Sequence, residues 1–120
     1  MDTQVHILLV DDEPTVQMVH LFMLKKLGCY VDVANNGKEA IEKATENRYD
    51  IIFMDMGLPD MRGSEATKVI KGQGVDTPVI MLSAYAQSEI KDECDSADIK
   101  EIYQKPVSGD TFSLIVKKYT

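Results

Sequence analysis

Apolar residues in this chain gather in short unbroken runs. Val5–Val10 (VHILLV), Ile51–Met54 (IIFM) and Pro78–Leu82 (PVIML) show no sustained polar alternation, as expected of strands buried on both faces of a parallel sheet. Tyr30–Ala34 (YVDVA) predicts a further short strand and Ile99–Gln104 a weak fifth one. The segments between them carry helical spacing. Pro14 fits the first turn of a helix in which Val16, Val19, Met23, Leu24 and Leu27 face inward, and Gly28 ends it. His20 is assigned to the solvent side of that helix.

Lys38–Asn47 predicts a second helix with Ala40, Ile41 and Ala44 inward, and Ser64–Gly72 a third with Ala66, Val69 and Ile70 on one side, capped by Gly63 or Ser64. Tyr85–Ala97 contains an acidic helix whose apolar stripe hardly extends beyond Ile90 and Cys94, so it should be the least firmly held. Ser108 or Asp110 caps a last helix that turns Phe112, Ile115, Val116 and Tyr119 to the sheet. Strands and helices thus alternate through short loops, which implies βαβ units with right-handed crossovers and an α/β fold. Internal repeats, linkers and low-complexity segments are missing from the sequence.

Composition narrows the function. A chain of 120 residues with 44% hydrophobic content suits one domain, residues 1–120, with a real core. The net charge of −7 argues against a nucleic-acid partner bound through a basic face. Apolar runs fall well short of the roughly 18 residues of a membrane span, and the N-terminus lacks the basic region of a secretion signal. Cys29 and Cys94 form no metal-binding motif, and we read them as reduced residues of a cytoplasmic protein.

The strand ends carry the chemistry. The first apolar run stops at Asp11-Asp12-Glu13, the third at Asp55 and the fourth at Ser83, while the fifth strand stops at Lys105. In a parallel sheet these ends share one edge, where open α/β sheets bind ligands. Crowded carboxylates repel one another and call for positive charge. A hard divalent cation such as magnesium fits three carboxylates, and Lys105 adds a second charge. An ionised carboxylate in such a setting can attack a phosphoryl group, with cationic clamps on its oxygens. Ser83 and Lys105 can each hold one such oxygen, and the small Ala84 leaves room for a donor. Taken singly, Asp11 and Asp12 would be helix-start carboxylates, Asp55 a loop cap and Lys105 a solvated side chain; their joint arrival at one edge carries the sharper reading.

At these residues the chain resembles the receiver domain of two-component response regulators. The resemblance rests on ILLVDDEP, NNGKEAI, DIIFMDMGLPDMRG, TPVIMLSA and YQKP in that order and covers essentially the whole chain. It implies a flavodoxin-like (βα)5 three-layer sandwich with a parallel sheet in the order 2-1-3-4-5. It implies that Asp55 accepts a phosphoryl group from a histidine of a sensor kinase or histidine phosphotransfer protein. Asp12 and Asp55 would be direct magnesium ligands, Asp11 a ligand through water and Gly57 a backbone-carbonyl ligand. Ser83 would be the hydroxyl switch beside Ala84, and Lys105 the phosphate-binding lysine, followed by a cis peptide to Pro106. The aromatic switch position falls on Ile102, and Tyr103 one residue later points to the other face. Arg62 stands before Gly63 where many receivers carry Asp or Asn. The GLPDM loop and short final helix look most like receivers of hybrid sensor kinases.

On this reading the protein is a switch, not an enzyme acting on other molecules. Phosphorylation repacks the 85–119 face, through which an effector or a second copy could bind. The rival from the enzyme class is a magnesium-dependent phosphohydrolase with an aspartyl nucleophile, but it wants a second aspartate where Gly57 stands. A flavin-binding module would need a hydroxyl- and glycine-rich loop where Asp11-Asp12-Glu13 stands. The cognate kinase, input signal, output, dephosphorylation rate and oligomeric state leave no mark on the sequence.

Overall fold

All five predicted strands form, and each parallel pairing is explained by the helix that returns the chain. The structure is a computed structural model and describes residues 4–99 and 101–120; Lys100, inside the predicted fifth strand, lies outside the described residues. The elements are β1 (His6–Val10), α1 (Pro14–Lys26), β2 (Tyr30–Ala34), α2 (Gly37–Glu46), β3 (Ile51–Asp55), α3 (Gly63–Gly72), β4 (Val79–Ser83), α4 (Gln87–Ser96), β5 (Glu101–Gln104) and α5 (Gly109–Tyr119). The strands make one parallel sheet in the order β2-β1-β3-β4-β5, the flavodoxin-like order expected.

Every residue of β3 and β4 is buried, whereas β5 at the edge is only partly covered. Alternate side chains feed two cores. Leu8, Ile52, Met54, Met81 and Ile90 pack on one side of the sheet, with Ile102 against them. Ile7, Leu9, Leu24, Phe53, Leu82 and Phe112 pack on the other, with Tyr103 against them. Ile102 and Tyr103 therefore point to opposite faces, as the period of two requires. Cys29 and Cys94 are free and buried in different cores.

Two helices sit in a different phase from the one predicted. In α1, His20 is buried together with Leu24, while Val19 and Leu27 are each 42% exposed. The inward face of α1 therefore runs through His20 and Leu24, with Val16 and Met23 half-buried beside them. In α3, Val69 is exposed and Thr67 is buried in its place. The Thr67 hydroxyl donates to the Gly63 carbonyl at 2.8 Å, so its polar atom enters the core satisfied. Helix α4 buries little beyond Ile90 and Cys94, as expected.

Candidate functional site

Register brings the strand ends together. Val10 pairs with Met54 and with Ala34, Asp55 with Leu82, and Ser83 with Gln104. The residues that follow or close these strands therefore emerge along one edge. Beside Asp55, the chain enters the loop Met56–Arg62 and returns at Gly63, whose N–H donates to the Met56 carbonyl at 2.8 Å. A Cβ on Gly63 would lie 2.1 Å from the Asp55 carbonyl oxygen and 2.9 Å from Met54 Cγ. Glycine is required there by close approach. The loop is pinned further out by Asp60, whose carboxylate accepts the Gly37 and Lys38 N–H groups at 2.8 and 2.9 Å, the start of α2. These bonds hold the Asp60 carboxyl below its ordinary pKa.

Asp11 is fully buried, and Asp55 is 5% exposed. The Lys105 ammonium stands 3.2 Å from Asp11 Oδ2 and 3.1 Å from Asp55 Oδ1. Asp11 Oδ1 accepts the Glu13 N–H at 3.0 Å. Glu13 rather than Asp11 or Asp12 caps α1, accepting the Thr15 and Val16 N–H groups. Asp12 is exposed, and one carboxylate oxygen from each of Asp11, Asp12 and Asp55 falls within 4.8 Å of the others. The Asp55 carboxyl is pushed up to about 6: burial raises it most, the Lys105 ammonium pulls against that, and the Asp11 carboxylate adds to the rise. For Lys105, burial works against its charge, but the two carboxylates overcome that and raise its pKa. The three acids thus form a hard, oxygen-rich donor set that a divalent cation fits.

A cleft of about 410 Å³ opens above this cluster, lined by Asp12, Glu13, Pro14, Asp55, Gly57, Ala84, Tyr85 and Lys105. Chemistry rather than size singles it out, because a larger apolar groove of about 710 Å³ runs along α1 and the start of α5 past Met18, Phe22 and Asp110. Ser83 is buried, and its hydroxyl accepts the Tyr85 N–H at 2.9 Å. It does not line the cleft in this conformation. Gln104, its partner on β5, donates to the Ala84 carbonyl at 3.4 Å. Ile102 lies one layer below, opposite Met81. The Lys105–Pro106 peptide is cis.

Three features around the site escaped the sequence reading. His20 reaches Val107, Asp60 accepts the first two N–H groups of α2 beside its Asn36 cap, and Arg62 binds Glu93 of α4. The first two follow from long-range packing and leave no local pattern. The third had one signal, an arginine at an unusual place in the loop.

Comparison with known proteins agrees with this geometry. The family model for the response regulator receiver domain matches residues 7–117. The two-component response regulator ORR41 of Oryza sativa subsp. japonica is 33% identical, over 96% of this chain and 94% of its own length. Hybrid signal transduction histidine kinase F of Dictyostelium discoideum is 35% identical over 98% of this chain. The chain spans only 11% of that kinase and 15% of a probable rice histidine kinase. Among solved structures, the receiver domain of sensor histidine kinase PA1611 from Pseudomonas aeruginosa, with magnesium coordinated in its active-site cleft, is 33% identical. It superposes with a TM-score of 0.90 over 98% of each chain.

Proposed function

The chain belongs to the response regulator receiver domains, the phosphoacceptor modules of two-component systems, and from that premise we propose that Asp55 is the residue that takes the phosphoryl group. The observation that carries the assignment is Lys105, held between Asp55 and Asp11 at 3.1 and 3.2 Å over a cleft open to a donor. A carboxylate oxygen of Asp55 attacks phosphorus as the P–N bond of a phosphohistidine breaks; the bonding pair returns to that nitrogen, and the ring, already protonated at its other nitrogen, leaves as neutral imidazole. The Lys105 ammonium then pairs with a phosphoryl oxygen. Asp11, Asp12 and Asp55, with the Gly57 carbonyl, would hold magnesium, whose charge offsets that building up on the phosphoryl oxygens. Ala84 keeps the entrance clear, and Ser83 releases the Tyr85 N–H to turn its hydroxyl toward the new phosphate.

The donor on this reading is a histidine kinase or phosphotransfer protein, and the setting is cytoplasmic. Residues 1–120 act as one receiver unit that catalyses its own phosphorylation and slow dephosphorylation and nothing else. The phosphohydrolase alternative is not favoured, since the family match is to receivers and Gly57 occupies the place of the second aspartate. Output runs through the 85–119 face, to an effector or a second copy. The slight apolar hold on α4 supports this, because a loosely held helix repacks easily.

The test is labelling by acetyl phosphate with magnesium. Wild type should take up one phosphoryl group, Asp55→Ala none, and Lys105→Ala should be phosphorylated slowly. Equal labelling of Asp55→Ala would overturn the assignment. Light scattering with and without beryllofluoride tests dimerisation.

A further inference from the structure

The turn that carries Lys105 is held from below by a side chain outside the reaction. Between Lys105 and the α5 cap Ser108, Pro106 has no N–H, so Val107 supplies the single amide donor. Lys105 N–H is already committed to the Ser83 carbonyl at 2.7 Å. Val107 is 4% exposed, and a buried N–H needs an acceptor. That acceptor is His20 Nε2, at 3.1 Å, reaching across from α1. The imidazole is fully buried and packs edge-on against Phe112 with ring centroids 5.1 Å apart, while Phe112 meets Phe53 of β3 in the same way.

Because Nε2 accepts, the ring proton of the neutral imidazole sits on Nδ1. Nδ1 has no hydrogen-bond partner among the described residues. An apolar side chain would fill this position without that orphaned donor, but it would leave the Val107 N–H orphaned instead. The acceptor at Nε2 is therefore what the position provides. Burial keeps the ring neutral, with the Asp11 carboxylate pushing toward protonation and the Lys105 ammonium against it.

We propose that His20 is a positioning residue for phosphoryl transfer: by accepting the Val107 N–H it fixes the turn that aims the Lys105 ammonium between Asp11 and Asp55. The proposal rests on the reading of Lys105 as the phosphoryl anchor. It predicts that losing the acceptor displaces Lys105, and that losing the neighbouring ring contact alone does not.

The experiment compares wild type with His20→Leu, which keeps bulk but removes the acceptor, His20→Gln, which restores one, and Phe112→Leu, which removes the ring contacts to His20 and Phe53 and leaves the acceptor in place. Phosphorylation by phosphoramidate with magnesium is followed together with the Lys105 Nζ and Val107 amide resonances of the metal-free proteins. His20→Leu should shift both resonances and slow phosphorylation by on the order of tenfold to a hundredfold, as small misplacements of a reacting group do. His20→Gln should recover most of the rate, and Phe112→Leu should keep both the resonances and the rate. A folded His20→Leu protein with an unmoved Lys105 resonance and wild-type rate overturns the proposal, as does equal slowing in Phe112→Leu. Should the leucine variant not fold, the ring nitrogens of wild-type His20 decide: a protonated Nε2 overturns it, and an unprotonated, hydrogen-bonded Nε2 supports it. If wild type itself is not phosphorylated at Asp55, the functional reading fails, while the resonances still judge the positioning.

Discussion

Lys105 Nζ lies 3.1 Å from Asp55 Oδ1, with the two side chains only 11% and 7% exposed, yet the carboxyl still titrates at about 6 rather than 3.8. Burial and the Asp11 carboxylate together outweigh the ammonium. A carboxyl whose folded pKa lies above its unfolded value destabilises the fold when ionised. The penalty is full above about pH 6 and fades as pH falls through 6 toward 3.8. In metal-free protein at pH 7.5, Asp55→Asn should therefore be more stable than wild type, by about 1–3 kcal/mol. The gap should close on acidification. His20 works in the opposite sense: its lowered pKa gives stability that is present above 6.5 and lost as pH falls. It is common to both proteins and cancels in the difference. Urea unfolding of the pair at several pH values measures this, and a wild type more stable than the variant at pH 7.5 contradicts it.

Magnesium should reverse that order. A cation bound only by the folded state stabilises it by about 2.7 kcal/mol at a hundredfold excess over its Kd. Asp55→Asn removes one of three clustered carboxylates, so wild type should gain more from magnesium than the variant. Affinity should drop as pH falls through about 6, where Asp55 takes up its proton. Thermal unfolding with magnesium titrated at pH 7.5 and pH 5.5 reads both effects. Equal gains by the two proteins would remove Asp55 from the ligand set.

Much of this architecture was legible because the decisive signals are local. Unbroken runs such as Ile51–Met54 mark strands that helices cover on both sides, and alternation of element types dictates parallel pairing. The convergence of the candidate site's side chains was legible for the same reason, since Asp11, Asp55, Ser83 and Lys105 each stand where a strand stops. His20 was not. Its burial depends on an acceptor needed by Val107, 87 positions away, and no local pattern carries that need. Val69 and Thr67 were exchanged because an intrahelical bond to Gly63 lets a hydroxyl enter the core, whereas hydropathy ranks valine first.

Gly63 should tolerate no side chain. Its Cβ would meet the Asp55 carbonyl oxygen, which is backbone and cannot swing aside. Gly63→Ala should cost about 1–3 kcal/mol, the usual range for overpacking, and slow phosphorylation by shifting Asp55. Gly72, at the other end of α3, has nothing within 4 Å of the same atom. Gly72→Ala should be neutral or stabilising by up to about 1 kcal/mol. Paired denaturant curves test this, and equal effects at the two positions would contradict it.

Arg62 and Glu93 link the loop after Asp55 to α4. Arg62 Nε and Nη2 donate to the two Glu93 oxygens at 2.6 and 2.9 Å, and the Ser64 hydroxyl donates to the same carboxylate. These bonds, Arg62 first, lower the Glu93 pKa. The pair is partly exposed, 45% and 33%, so its global contribution should be no more than about 1 kcal/mol. Locally it matters more, because α4 has only Ile90 and Cys94 buried to hold it. Glu93→Gln should therefore speed amide exchange across Gln87–Ser96 while leaving β1 and β3 protected, since opening α4 needs no global unfolding. Because the lowered pKa lies below 4.5, the clasp should persist at neutral pH and weaken only as acid protonates Glu93. Wild-type exchange in α4 should then accelerate below pH 4.5, after correction for intrinsic rates, and the Glu93→Gln protein should show no such step. Unchanged α4 exchange in the variant, or a uniform rise across the sheet, would mean that this pair does not hold the helix.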